Sequence, residues 1–146
     1  MTDFEITHDP IDIQAVNRKV ANSEHGANLV FIGTTREWTH GRRTVILEYE
    51  AYIPMAIKSL TQLGADIATR WPGAKCAITH RIGPVQIGEA SVVIAVAAPH
   101  RDDCYEASRY AIEQLKIIVP IWKREVWEDG AEWKGVQSGP WNPLKR

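Results

Sequence analysis

Apolar positions along this chain switch between a period of about 3.6 residues and a period of two, and the switches mark its elements. Residues 4–7 read as a short first strand. Asp9-Pro10 offers an N-cap acceptor followed by proline at the first helical position, and Ile13, Val16 and Val20 then recur on one helical face to about Asn22. Residues 27–35 are apolar and β-prone, a strand in which Gly33 marks a bulge or a close backbone approach. The polar stretch 36–43, with three arginines and a histidine, is longer than a tight hairpin needs. It suits either a binding-site loop or a solvated hairpin tip. Residues 44–52 alternate, Val45, Leu47, Tyr49 and Ala51 against Ile46, Glu48, Glu50 and Tyr52, which predicts a strand with one wetter face. Pro54 opens a second helix whose stripe of Ala56, Leu60, Leu63 and Ile67 runs to about Trp71, where Pro72-Gly73 ends it. Residues 75–82 alternate as a strand, and 83–88 form a turn. Residues 90–98 are almost all apolar, which predicts a central strand covered on both faces. A third helix, capped by Asp102 or Asp103, runs to about Val119 with Ala107, Ala111, Leu115 and Ile118 inward. Pro120 stops it, residues 121–127 alternate, Glu128-Asp129-Gly130 signals a hairpin, and 131–136 pair back. Residues 138–146, with two prolines, form a tail.

The order β-α-β-β-α-β-β-α-β-β predicts an α+β fold, helices packed on a largely antiparallel sheet, in one domain spanning 1–146. Composition narrows the partners. A formal net charge of −1 gives no general pull toward nucleic acid or an anionic membrane. No apolar run reaches transmembrane length, and the first ten residues lack the basic start and apolar run of a signal peptide. Cys76 and Cys104 stand far apart with no CxxC, which argues against a disulfide framework or a zinc site and points to a reducing cytoplasm. Cys104, on the first turn of a helix, is expected to have a lowered thiol pKa, and Cys76 to be a small buried hydrophobe.

Candidate chemistry gathers in the last third. Between Lys116 and Glu125, one lysine closes a helix and a second, Lys123, lies on the strand just beyond Pro120. Lys123 and Glu125 share a strand face and can pair. That pair is either an oriented active-site lysine or a routine surface ion pair. His100 and Arg101 follow the most apolar strand and open a helix, where free N–H groups favour an anion. A salt bridge to a nearby aspartate would explain Arg101 equally well. No phosphate loop, HExxH or nucleophile elbow is present.

These segments, in order, resemble the large-subunit family of molybdopterin synthase, MoaE. The likeness runs from about Gly26 to Trp133. It is carried by Phe31-Ile32-Gly33 leading to Arg36, Leu47-Glu48-Tyr49, His80-Arg81-Ile82-Gly83, Gly88-Glu89, His100-Arg101, and Lys116 followed by Pro120-Ile121-Trp122-Lys123-Arg124-Glu125. The resemblance implies an α/β hammerhead fold with a smaller additional β-subdomain. It implies a central homodimer flanked by two copies of a small ubiquitin-like sulfur carrier ending in Gly-Gly, a heterotetramer. Sulfur from that carrier's C-terminal thiocarboxylate would pass to cyclic pyranopterin monophosphate and give the molybdopterin dithiolene, with no metal or cofactor required. Lys116 and Lys123 match the catalytic lysines. Arg36, His100 and Arg101 match positions that bind the anionic substrate, with Thr34 and Thr35 beside them. Arg124 and Glu125 complete the substrate-binding set.

One departure stands out. A basic residue is expected after Trp133, where this chain has Gln137, and Arg42 or Arg43 is a candidate substitute. Two rival classes remain. One is a non-catalytic docking module whose basic pocket takes a partner's C-terminal tail. The other is a phosphate-ester hydrolase or RNA-binding domain, against which the net charge and the lack of an aromatic RNA-binding motif argue.

Overall fold

The computed structural model describes residues 2–128 and 130–134. The elements in order are β1 (Phe4–Thr7), α1 (Ile13–Arg18), β2 (Ala27–Thr34), β3 (Trp38–Thr39), β4 (Arg42–Ala51), α2 (Ile53–Arg70), β5 (Lys75–Arg81), β6 (Gly83–Val85), β7 (Ala90–Ala98), α3 (Arg101–Ile118), β8 (Ile121–Trp127) and β9 (Gly130–Lys134).

Four strands form one sheet in the order β1-β5-β7-β2, with only the β1–β5 pairing parallel. The near-continuous apolar run of β7 lies inside it, as its composition predicts. Its alternate residues serve two cores. Val92, Ile94, Val96 and Ala98 pack with the buried stripes of α2 and α3, while Val93, Ala95 and Ala97 pack with Val16 and Val20. The α2 stripe of Ala56, Leu60, Leu63 and Ile67 is fully buried. On α3, Ala107, Ala111 and Leu115 are inward, but Ile118 is 42% exposed, so the expected stripe ends one turn early.

The second sheet has β4 at its heart. β8 runs along one edge of β4 with β9 beyond it, and β3 and β6 pair on its other side. The chain passes between the sheets at Gly83, whose φ of +85° suits glycine and lets β5 turn into β6.

Local chemistry corrects several boundaries. The first helix begins at Ile13, not at Pro10: the Asp12 carboxylate accepts from the Ala15 N–H at 3.1 Å and supplies the cap. The third helix is capped by His100, without a side-chain bond, and Asp102 and Asp103 sit inside its first turn, where their charge favours the helix's positive end. The polar stretch 36–43 is a tight hairpin rather than a long loop. His40 and Gly41, both with positive φ, form a two-residue turn between β3 and β4. The residues expected as a turn, 83–88, contain β6, whose existence depends on pairing with β4. The strand end at 135–136, Gln137, the 138–146 tail and Asp129 of the hairpin signal lie outside the described residues.

Candidate active site

The helix α3 ends abruptly. Val119 leaves helical geometry (φ −86°, ψ 126°), as expected before proline, and Pro120 has no N–H to continue the ladder. β8 starts at Ile121. Lys116 is therefore on the last helical turn and Lys123 on the strand, and both line one cavity of about 560 Å3. That is an ordinary size for a small-molecule site.

Register fixes the strand side of this cavity. Lys123 lies opposite Tyr49 and Glu125 opposite Leu47 on paired antiparallel strands, so all four project to the same face. Lys123 Nζ lies 3.7 Å from Glu125 Oε1, and Glu125 is buried while Lys123 is half-exposed. The other wall comes from the first sheet. His80, Val92 and Gly33 form one row across β5, β7 and β2, and all three line the cavity. At Gly33 a Cβ would meet Val92 Cγ1 at 2.7 Å, so a side chain here would displace that wall. The β2 register slips between Gly33 and Thr34, the bulge expected from the sequence, and Thr34 and Arg36 join the lining beyond it.

Two titratable groups in the walls are held neutral. Burial lowers the His80 pKa to about 4, against the opposing effect of its bond to the Arg81 carbonyl. Its Nδ1 lies 2.7 Å from that carbonyl oxygen, and its ring packs edge-on against Tyr49 at 5.1 Å. Burial raises the Tyr49 pKa, a hydrogen bond with Ser91 works the other way, and the charge of Glu125 adds to the rise. Ser91 in turn donates to the Gly33 carbonyl at 3.3 Å.

Of the residues singled out in the sequence, Thr34, Arg36, Lys116, Lys123 and Glu125 line this cavity. Thr35 does not line it; it is 3% exposed, with its hydroxyl lacking a hydrogen-bond partner among the described residues. Arg124, on the opposite face of β8, reaches Glu48 at 3.5 Å. His100 and Arg101 stand at the other end of α3. Fifteen residues of helix separate Arg101 from Lys116, about 22 Å at 1.5 Å per residue. Arg42 and Arg43 do not line this cavity: Arg42 lies over the Trp127 ring at 4.2 Å, and Arg43 bridges Glu37 and Glu128 at 2.7 Å each. Cys104 departs from expectation. Its thiol is buried and bonded to the Val96 carbonyl, and burial pushes its pKa up, outweighing a backbone hydrogen bond at Leu29. Cys76 is buried as expected, its thiol pushed up to about 12.

Sequence reasoning did not assign Tyr49, His80 and Ser91 to the site. The alternation of their strands gives a face for each, but only the pairing across the sheets shows that those faces meet.

Residues 6–117 match the family model described as MoaE protein. The chain is 60% identical over 137 residues to the molybdopterin synthase catalytic subunit of Bacillus subtilis, covering 94% of this chain and 87% of the relative. It is 53% identical over 146 residues to the protein of the same name from Staphylococcus epidermidis, covering 100% and 97%. Among solved structures it resembles the crystal structure of molybdopterin synthase from Staphylococcus aureus, with 53% identity, a TM-score of 0.89 and coverage of 92% and 98%. By the family match and by identity along nearly its full length, this chain belongs to the MoaE family.

Proposed function

We propose that this chain is the catalytic subunit of a molybdopterin synthase. It transfers sulfur from the C-terminal thiocarboxylate of a small Gly-Gly-ended, ubiquitin-like carrier to cyclic pyranopterin monophosphate, building the dithiolene of molybdopterin. It acts as one domain, in the cytoplasm, as the central dimer of a heterotetramer with that carrier. The observation that supports this best is the convergence of Lys116 and Lys123, from two elements separated by Pro120, on one cavity that Arg36 also lines.

The chemistry asks for such a set. The substrate's phosphate needs cationic donors, which Arg36 and the lysines supply. Sulfur attack at a pterin carbon, with loss of oxygen and opening of the cyclic phosphate, needs proton donors and stabilisation of developing negative charge. Two ammonium groups can serve both needs, and Glu125 orients one of them at 3.7 Å.

The test is an assay with thiocarboxylated carrier and cyclic pyranopterin monophosphate. Lys116→Ala and Lys123→Ala should each lower turnover by about 10²-fold or more, the usual worth of a positioned proton donor, while circular dichroism stays native. Turnover near that of the wild type in either variant removes that lysine from the mechanism. Absence of dithiolene product from the wild type with active reagents sinks sulfur transfer and leaves a docking module.

A further inference from the structure

We propose that His80 is a substrate-reading residue: a neutral imidazole in the cavity wall whose Nε2 accepts a hydrogen bond from an N–H donor of the bound pterin. This rests on the function proposed above for the same cavity.

The ring's tautomer follows from its surroundings. A backbone carbonyl can only accept, so at 2.7 Å from the Arg81 oxygen the Nδ1 atom carries the proton. In the neutral ring Nε2 then holds a lone pair. His80 lines the cavity, and its ring is held by the Arg81 bond and by the edge-on Tyr49 ring at 5.1 Å. Burial keeps it neutral at physiological pH, since its pKa is about 4.

The rest of the cavity explains why an uncharged acceptor is useful there. Arg36, Lys116 and Lys123 can only donate, which suits a phosphate. A pterin also presents donors of its own, a ring N–H and an exocyclic amino group. These need acceptors once they leave water. Glu125 is an acceptor, but its carboxylate is already paired with Lys123. A second carboxylate would offset the positive field that holds the phosphate. A buried neutral histidine accepts a hydrogen bond without that cost. A site built this way also discriminates, because an analogue lacking the donor leaves Nε2 unpaired.

Two substitutions separate this role from mere packing. In His80→Asn the amide can keep the bond to the Arg81 carbonyl but places nothing at Nε2. In His80→Gln the side-chain oxygen can take the place of Nε2. The assay is steady-state turnover with thiocarboxylated carrier and cyclic pyranopterin monophosphate. His80→Asn should raise KM for the pterin about tenfold, the worth of one neutral hydrogen bond, with kcat and the carrier KM unchanged, and His80→Gln should restore most of the loss. An unchanged pterin KM in His80→Asn overturns the proposal. So does an equal loss in both variants, or a rise in both KM values, because each marks a structural role. If the variants do not fold, 15N-histidine NMR of the wild type decides. The Nε2 resonance should move on saturation with the pterin, and a resonance that stays in place overturns the proposal. Failure of sulfur transfer itself would appear in the wild type, whereas failure of this inference appears only in variants, or in an unmoved resonance, of an active enzyme.

Discussion

His80 is buried as a neutral ring, and that fixes the sign of its effect on stability. Its pKa falls from an ordinary 6.5 to about 4 in the folded chain. Between those values the unfolded chain takes up a proton that the folded chain refuses, so acid favours unfolding. The stability it contributes is complete above pH 6.5, is lost as pH falls toward 4, and changes no further below. The full difference is roughly 3 kcal/mol at 1.36 kcal/mol per pH unit. Urea unfolding followed from pH 7 to pH 4 should show this slope in the wild type and a shallower one in His80→Asn. Equal slopes would mean that His80 is not the titrating group. Cys104 shows how burial can reverse an expectation drawn from position. A cysteine on the first helical turn suggests a lowered thiol pKa. The neighbouring strand covers it instead, and burial raises the pKa. Neither thiol should react with a water-soluble disulfide reagent until the chain unfolds, and rapid labelling of native protein would contradict the burial of both. Residue types were therefore legible in the sequence, but their titration was not, because desolvation comes from elements distant along the chain.

At the scale of elements, what repeats locally was legible and what depends on pairing was not. The α2 stripe and the two-faced burial of β7 follow from spacing alone. The strands β3 and β6 carry no such pattern, being two and three residues long, and exist through their contacts with β4. Register with β4 also brought Tyr49 opposite Lys123. Close approach between elements is a further property that sequence hides. Gly26, just before β2, donates its N–H to the Pro99 carbonyl at 3.2 Å. A Cβ there would stand 2.7 Å from that oxygen, and a backbone atom cannot rotate away as a side chain can. Gly26→Ala restricts the unfolded chain, which alone would add about 0.4–1 kcal/mol of stability. The clash costs about 1–3 kcal/mol and outweighs that gain. Thermal unfolding should shift down by a few degrees, and an unchanged or raised midpoint would show that the end of β7 yields.

At the scale of the whole molecule, α3 poses a geometric problem for which the proposed assembly predicts an answer. The family resemblance gives His100 and Arg101 a role at the substrate, yet they cap the end of α3 opposite Lys116. A helix is too stiff to curl about 22 Å back on itself. If both ends serve catalysis, they serve different cavities, and a central dimer would supply the second one: each copy would give Lys116 and Lys123 to its own cavity, and His100 and Arg101 to its neighbour's. A symmetric dimer then has two equivalent composite sites. Mixing two variants, each expected to be impaired if its residue serves the site, tests this. Lys116→Ala and Arg101→Ala chains, unfolded together and refolded in equal amounts, give about half mixed dimers by random pairing. With shared sites, each mixed dimer carries one doubly damaged cavity and one intact cavity, so turnover should return to about a quarter of the wild-type level. With both residues in one chain's own cavity, every cavity in the mixture keeps a defect and turnover stays at the level of the separate variants. Recovery therefore requires that Arg101 crosses between copies, and its absence would overturn the shared site.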